Sequence, residues 1–132
     1  MQHLQKAGAL IIKDKKLMIV NPTGKPFFIN PGGKYEAGET AEECLRRELN
    51  EELCVELKSC EHYKTYDITK AAHSDNSLSL ELYVVVIEGE PIPSAEIGTI
   101  GWMSQEDFQN KKYNVAPSFY QYVPDLIKDV LL

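Results

Sequence analysis

A chain of 132 residues with a net charge of −6 is long enough to bury a proper core as one domain, residues 1–132. It shows no basic patch that would attract polymeric DNA or RNA, and no apolar run nears the roughly 18 residues that span a membrane. Cysteines stand at positions 44, 54 and 60, three in all, an odd and sparse set that suits reduced thiols in the cytoplasm rather than a disulfide framework. The N-terminus has no signal-peptide pattern.

In chain order, Leu4 to Lys13 reads as a strand around the apolar run Ala7-Gly8-Ala9-Leu10-Ile11-Ile12. Asp14-Lys15-Lys16 makes a turn, and Leu17 to Val20 returns as a second strand. Asn21 to Lys25 is a loop by its Pro22 and Gly24. Phe27-Phe28-Ile29 is a brief strand, broken by Asn30-Pro31-Gly32-Gly33, where the glycine pair permits close approach of backbone or ligand. The loop runs on through Glu36 to Glu39. Thr40, with Glu43 three residues on, is the N-cap of a capping box, and the helix runs from Ala41 to about Leu53. Cys54 then falls where a glycine usually adopts the left-handed conformation, at a cost on the order of 1–2 kcal/mol.

Val55 to Leu57 leads away, Glu61 to Asp67 reads as a strand with Tyr63 and Tyr66 as candidates for packing, and Lys70 to Ser77 is a polar loop. Leu78 to Glu88 is the strongest strand and is expected at the centre of a sheet. Glu90 to Ser94 is a loop by its two prolines, and Ile97 to Met103 is a last strand carrying Trp102. Ser104 caps a short helix over Gln105 to Asn110. A C-terminal helix opens at Pro117 or Ser118 and runs to about Val130, with Pro124 as a candidate break.

The first helix carries the chemistry. Glu48, Glu51 and Glu52 stand at i, i+3 and i+4, so their carboxylates share one face. That face lies on the azimuth of Ala41, Cys44 and Leu45, the stripe that should meet the core, so the apolar stripe turns acidic halfway along. Two carboxylates about 4 Å apart repel by about 1 kcal/mol in water and about 4 at an effective dielectric of 20. Crowding of this kind beside a core is relieved by a divalent cation, and clustered hard oxygens favour Mg²⁺ or Mn²⁺ over zinc.

The stretch resembles the box of the Nudix family, G-x5-E-x7-R-E-U-x-E-E-x-G-U with U a bulky aliphatic residue. Gly33, Glu39, Arg47-Glu48-Leu49, Glu51-Glu52 and Val55 match it, and Cys54 departs from it. The resemblance implies an α+β fold, an α/β/α sandwich on a mixed β-sheet with the box as loop–helix–loop. It implies a Nudix hydrolase in which Glu48, Glu51, Glu52 and the Gly33 carbonyl hold the metal, with Glu39 and Arg47 as structural partners and Arg47, Glu51 and Glu52 taking part in catalysis. Arg47 also stands i+4 from Glu43 and i−4 from Glu51, so ordinary helix pairing accounts for part of its role.

Outside the box, resemblance to MutT-like enzymes implies Glu96 as general base and Asn114 as a reader of the base, an amide being able to pair with a purine edge. Phe27, Phe28 and Tyr35 are candidates to stack on a base, and Lys34 to touch a phosphate. His3, His62 and His73 lack metal spacing. The family's marks for ADP-ribose and dinucleoside polyphosphate substrates are missing at Lys70-Ala71 and Ala72-His73, and longer marks for NADH and coenzyme A are absent. The resemblance therefore implies a small nucleotide substrate, most simply a nucleoside triphosphate cut to monophosphate and pyrophosphate, in a monomer or homodimer. A nucleotide sensor that does not hydrolyse, or a pyrophosphatase for another substrate, is the alternative.

Overall fold

The computed structural model describes residues 3–68 and 77–132. The elements are β1 (His3–Leu10), β2 (Ile12–Lys13), β3 (Lys16–Pro22), β4 (Gly32–Lys34), α1 (Ala41–Leu53), β5 (Glu56–Ile68), β6 (Ser77–Glu88), β7 (Ile97–Ser104), α2 (Gln105–Gln109) and α3 (Phe119–Lys128). One sheet has the order β4-β1-β6-β5 and a second the order β2-β3-β7. β1 runs parallel to β6 and every other pairing is antiparallel, so the larger sheet is mixed and the apolar β6 is one of its two inner strands, as expected. The loop expected over Lys70 to Ser77 lies outside the described residues except for Ser77, which opens β6; Lys70, Ala71, Ala72 and His73 lie outside them too.

The strand expected over Leu4 to Lys13 is two strands in two sheets. At Ile11 the chain turns from the first sheet into the second, with Met18 N–H donating to the Ile11 carbonyl at 2.8 Å. Leu10 and Ile11 are buried and Ile12 is half-buried, so the apolar run shows no break where the backbone bends. Gly32 and Gly33, expected to be loop, form β4 against β1 in the register Gly8↔Gly32 and Ala7↔Gly33. The physical reason is close approach: Gly32 has φ 131°, and a Cβ there would lie 2.1 Å from the Ala7 carbonyl oxygen. The residues that break strands elsewhere permit this one. Phe27-Phe28-Ile29 makes isolated bridges, Val20↔Ile29 and Phe28↔Val115, instead of a strand. β5 is longer than expected, because register shifts between Leu57 and Ser59 and between His62 and Lys64 reset which face each side chain takes and hide the alternation.

α1 begins and ends as expected. Glu43 N–H donates to Thr40 Oγ1 at 3.2 Å and Thr40 N–H to Glu43 Oε1 at 3.0 Å, while Cys54 sits at φ 56°, ψ 34° with its N–H on the Asn50 carbonyl. α3 continues through Pro124 without a break. The bond that proline cannot make would have gone to the carbonyl of Tyr120, an exposed residue. Two cores flank the larger sheet. Ala7, Ala9, Val85 and Leu57 pack against Cys44, Leu45, Leu49 and Leu53 of α1, and Leu10, Leu80 and Leu82 pack against Phe119, Tyr122, Val123 and Leu126 of α3. Helix, sheet and helix therefore form three layers. Tyr63 and Tyr66 tie β5 to α3, donating to Asp129 and Asp125.

Candidate active site

The acidic stripe of α1 lies where β4 ends against it. Glu52 is 3% exposed, and its Oε1 accepts from Gly32 N–H at 2.9 Å. Burial, offset in part by that bond and reinforced by the charges of Glu48, Glu96 and Glu51, pushes its carboxyl up to about 8. Glu48 is also raised, first by burial, although Arg47 pulls it the other way. Glu51 is the exposed member of the three. Gly33 faces Glu48 so closely that a Cβ would stand 2.5 Å from the Glu48 carboxyl carbon, so a side chain at position 33 would displace that carboxylate.

Arg47 holds the pieces in place. Its Nε and Nη2 donate to the two oxygens of Glu39 at 2.8 and 2.9 Å, its Nη1 to Glu48 Oε1 at 2.7 Å, and its Nη2 to the Lys34 carbonyl at 3.1 Å. The planar fork is what makes this set of bonds available to one side chain. Arg47 and the Glu36 N–H hold the Glu39 carboxyl far below the usual range. The Glu39–Arg47 partnership expected from the sequence is thus a clamp between the loop before α1, the end of β4 and the helix. Of the two ordinary helix partners of Arg47, Glu51 lies 3.8 Å away, whereas Glu43 serves the N-cap.

The loop after β6 is docked on the end of α1. Ile92 N–H donates to the Leu53 carbonyl and Ser94 N–H to the Glu52 carbonyl, both at 2.9 Å. The chain then passes through Ala95 in the left-handed region, φ 53°, to Glu96, an exposed residue whose charge reaches both Glu48 and Glu52. Glu96 is far from the box in sequence, and the docking of its loop brings its charge within reach of the carboxylates.

Phe28 and Asn114 form a separate group. Phe28 N–H donates to the Asn114 carbonyl at 2.8 Å, Asn114 Nδ2 donates to the Pro26 carbonyl at 2.5 Å, and the Phe28 ring meets Tyr113 edge-on at 5.3 Å. None of these bonds reaches the carboxylates. Tyr35 packs against the first core and donates to Glu81, and Lys34 is exposed at the end of β4. His3 bonds to Ser77 and Ser79, and His62 to Thr65. Sequence reasoning missed Lys6, a part-buried lysine on β1 whose pKa is lowered by burial and by Lys34, against the pull of Glu52 and Glu48. The signal was there: in period-two alternation Lys6 shares a face with Leu4, Gly8 and Leu10. An open groove lined by Ile12, Asp14, Val86, Glu90, Thr99 and Trp102 holds none of these residues.

Among the described residues no three His, Cys, Asp or Glu side chains converge as a ready-made metal cage. Glu48 is drawn to Arg47, Glu52 to Gly32, and Glu51 is exposed with its carboxylate toward Arg47. The donor set nevertheless suits a hard divalent cation: Glu52 is buried without an ion-pair partner among the described residues, and Glu48 and Glu51 lie on the same helix face.

The model of the NUDIX domain matches residues 3–126. The chain is 24% identical over 114 residues to the uncharacterized Nudix hydrolase YvcI of Bacillus subtilis, covering 83% of this chain and 72% of that one. Among solved structures it is similar to a MutT NUDIX hydrolase from Burkholderia pseudomallei (TM-score 0.72, 24% identity, 80% of this chain and 86% of that one) and to a NUDIX hydrolase from Nitrosomonas europaea (TM-score 0.80, 17% identity, 97% and 90%). A bifunctional NMN adenylyltransferase/ADP ribose pyrophosphatase from Francisella tularensis (TM-score 0.71, 18% identity, 96% and 41%) and a UDP-X diphosphatase (TM-score 0.65, 18% identity, 87% and 55%) share the fold, so the fold alone does not select a substrate.

Proposed function

The chain belongs to the Nudix family of hydrolases, and from that premise we propose that it is a Mg²⁺-dependent pyrophosphohydrolase of a nucleoside triphosphate, releasing the monophosphate and pyrophosphate. The observation that carries the reading is Glu52, a carboxylate 3% exposed on one helix face with Glu48 and Glu51 and without an ion-pair partner among the described residues. The family uses divalent metal ions. Here Glu48, Glu51, Glu52 and the Gly33 carbonyl would hold Mg²⁺ or Mn²⁺, which when bound neutralises the polyphosphate and polarises a phosphoryl oxygen.

The remaining roles belong to the chain. Arg47 orients Glu48 and pins the Lys34 carbonyl, which fixes β4 against the helix. Glu96 accepts the proton of the attacking water as its oxygen bonds to phosphorus and the bridging oxygen leaves with the electron pair. Lys34 donates to a phosphate oxygen, and Phe28 and Asn114 hold the nucleoside. An oxidised purine nucleotide such as 8-oxo-dGTP and a pyrimidine triphosphate are the two substrates to try first. We place the enzyme in the cytoplasm, as one domain, monomeric or homodimeric; among the described residues no helix is long and apolar enough to cross a membrane.

The test is a screen of nucleoside triphosphates and nucleoside diphospho-compounds with Mg²⁺ and with EDTA, scoring phosphate and pyrophosphate separately. Pyrophosphate release from a triphosphate, abolished by EDTA, is expected. Tight nucleotide binding with no release from any compound would replace this reading by the sensor.

A further inference from the structure

We infer that Asn21 is a positioning residue: its amide staples the loop between β3 and β4, and through that loop it ties the nucleoside end of the site to Glu96. The inference rests on the reading of Glu96 as the group that takes the proton and of Phe28 and Asn114 as the nucleoside contacts.

The chain leaves β3 through a bulge. Asn21 pairs with Thr99 and Pro22 with Ile97, so Gly98 of β7 is the unpaired extra residue. Pro22 to Lys25 then form a β-turn, closed by Lys25 N–H on the Pro22 carbonyl at 3.0 Å. Gly24, at φ 81°, takes the third position, where a type II turn calls for glycine. Val20 and Ile29 exchange both backbone bonds, at 2.8 and 2.7 Å, and close the base of the loop. Residues 23 to 26 are exposed, and Pro22 and Pro26 have no N–H to give. Exposed residues bury little, so hydrogen bonds set the shape of this loop.

Asn21 supplies two of them. Its Nδ2 donates to the Lys25 carbonyl at 3.0 Å and to the Phe27 carbonyl at 2.7 Å. Both acceptors are carbonyls, so only the amide NH₂ of this side chain can serve them. The two carbonyls it holds stand on either side of Pro26.

The stapled loop has partners on both flanks. On one, Thr23 N–H donates to the Glu96 carbonyl at 2.7 Å. Gly98 leaves room for this approach, since a Cβ there would stand 3.1 Å from Thr23 Oγ1. Glu96 follows two residues after Ser94, whose N–H is bound to α1, so its backbone is held from the helix side and from the loop side. On the other flank, the Pro26 carbonyl accepts from Asn114 Nδ2 at 2.5 Å, Phe28 N–H donates to the Asn114 carbonyl at 2.8 Å, and the Phe28 carbonyl accepts from Ala116 N–H at 2.9 Å. A nucleoside that settles on Phe28 and Asn114 therefore acts on the same short piece of chain that fixes the backbone of Glu96.

The experiment measures amide hydrogen exchange, residue by residue, and steady-state kinetics on wild type, Asn21→Ala and Asn21→Asp, with melting curves to report folding. Ionised aspartate keeps the shape of asparagine and has no N–H to donate. Exchange is read with Mg²⁺, with and without a nucleoside triphosphate analogue whose bridging oxygens are replaced by nitrogen. In wild type the analogue is expected to slow exchange at Thr23 as well as at Phe28. In both variants, Thr23 exchange without nucleotide is expected to rise about 10- to 100-fold, and the analogue should protect Phe28 alone. Asn21→Ala is expected to lower kcat by about 10- to 100-fold, but by less than about twofold in a Glu96→Gln background, where no base is left to misplace. Unchanged Thr23 exchange in the variants, an analogue that protects Phe28 but not Thr23 in wild type, or an equal loss of kcat in the two backgrounds overturns the inference. The exchange arm needs no turnover, so a wild type that hydrolyses nothing counts against the proposed function and leaves the role of Asn21 readable.

Discussion

Glu51→Gln removes a negative charge from a crowded helix face, and Glu52→Gln replaces a buried carboxyl that metal-free folding pushes up to about 8. Activity is expected to fall by about 100-fold or more, since each substitution takes a donor from the proposed metal site. Apo stability should hold or rise, more for Glu52 than for Glu51, because Glu52 is buried and Glu51 is exposed. Turnover and melting midpoints in EDTA check both halves; near-wild-type turnover at limiting Mg²⁺ in both variants sinks the assignment. Cys54 offers a stability test with no chemistry attached. At φ 56° its side chain pays the left-handed cost, so Cys54→Gly should stabilise the protein by about 1 kcal/mol. A lower midpoint for the glycine variant would show that the thiol contributes packing worth more than the strain.

At the scale of elements, the loop between β6 and β7 brings distant sequence to the helix. Two of its N–H groups occupy carbonyls at the C-terminus of α1, which would otherwise need a cap or water. That docking sets the charge of Glu96 within reach of Glu48 and Glu52 without burying it. While they bind metal, those two carboxylates are poor proton acceptors, so the proton of the attacking water calls for a group such as Glu96. Glu96→Gln is expected to lower kcat by 10²- to about 10⁴-fold, with little change in KM or Mg²⁺ affinity. Glu81, Glu88 and Glu90 are the controls. Wild-type kcat in Glu96→Gln together with a loss at one control moves the role to that residue.

For the molecule as a whole, the carboxylate cluster makes stability depend on pH and metal together. In the metal-free folded protein Glu52 keeps its proton up to about pH 8, while its ordinary value is 4.5. Between those values the folded state binds the extra proton, so stability falls as pH rises, and Glu48, also raised, acts in the same direction. In EDTA the melting midpoint should therefore decline from about pH 5 to 8 through these groups. Added Mg²⁺ should raise it more at the upper end than at the lower, and Glu52→Gln should flatten the decline. A wild-type midpoint in EDTA that Glu52→Gln leaves with the same slope would remove Glu52 as the source.

What the sequence determined by itself is what local spacing can encode. The capping box at Thr40, the limits of α1, the shared face of Glu48, Glu51 and Glu52, and the left-handed Cys54 follow from helix geometry over a few turns, and the apolar run of β6 marks an inner strand. Tertiary structure decided what depends on partners far along the chain. The corner at Ile11, the β4 strand made of glycines, the resets in β5 and the continuous helix through Pro124 each turn on a neighbour that no local pattern names. The same holds for the site. Arg47 and Glu39 were legible because their spacing lies within one motif. The inward-facing Lys6 was visible in the alternation of β1, but its opposition to Lys34 required the pairing of two strands. The reach of the Glu96 charge to the carboxylates required a loop bound to the end of a helix, because a side chain's electrostatic surroundings are set by distance through space, not by distance along the chain.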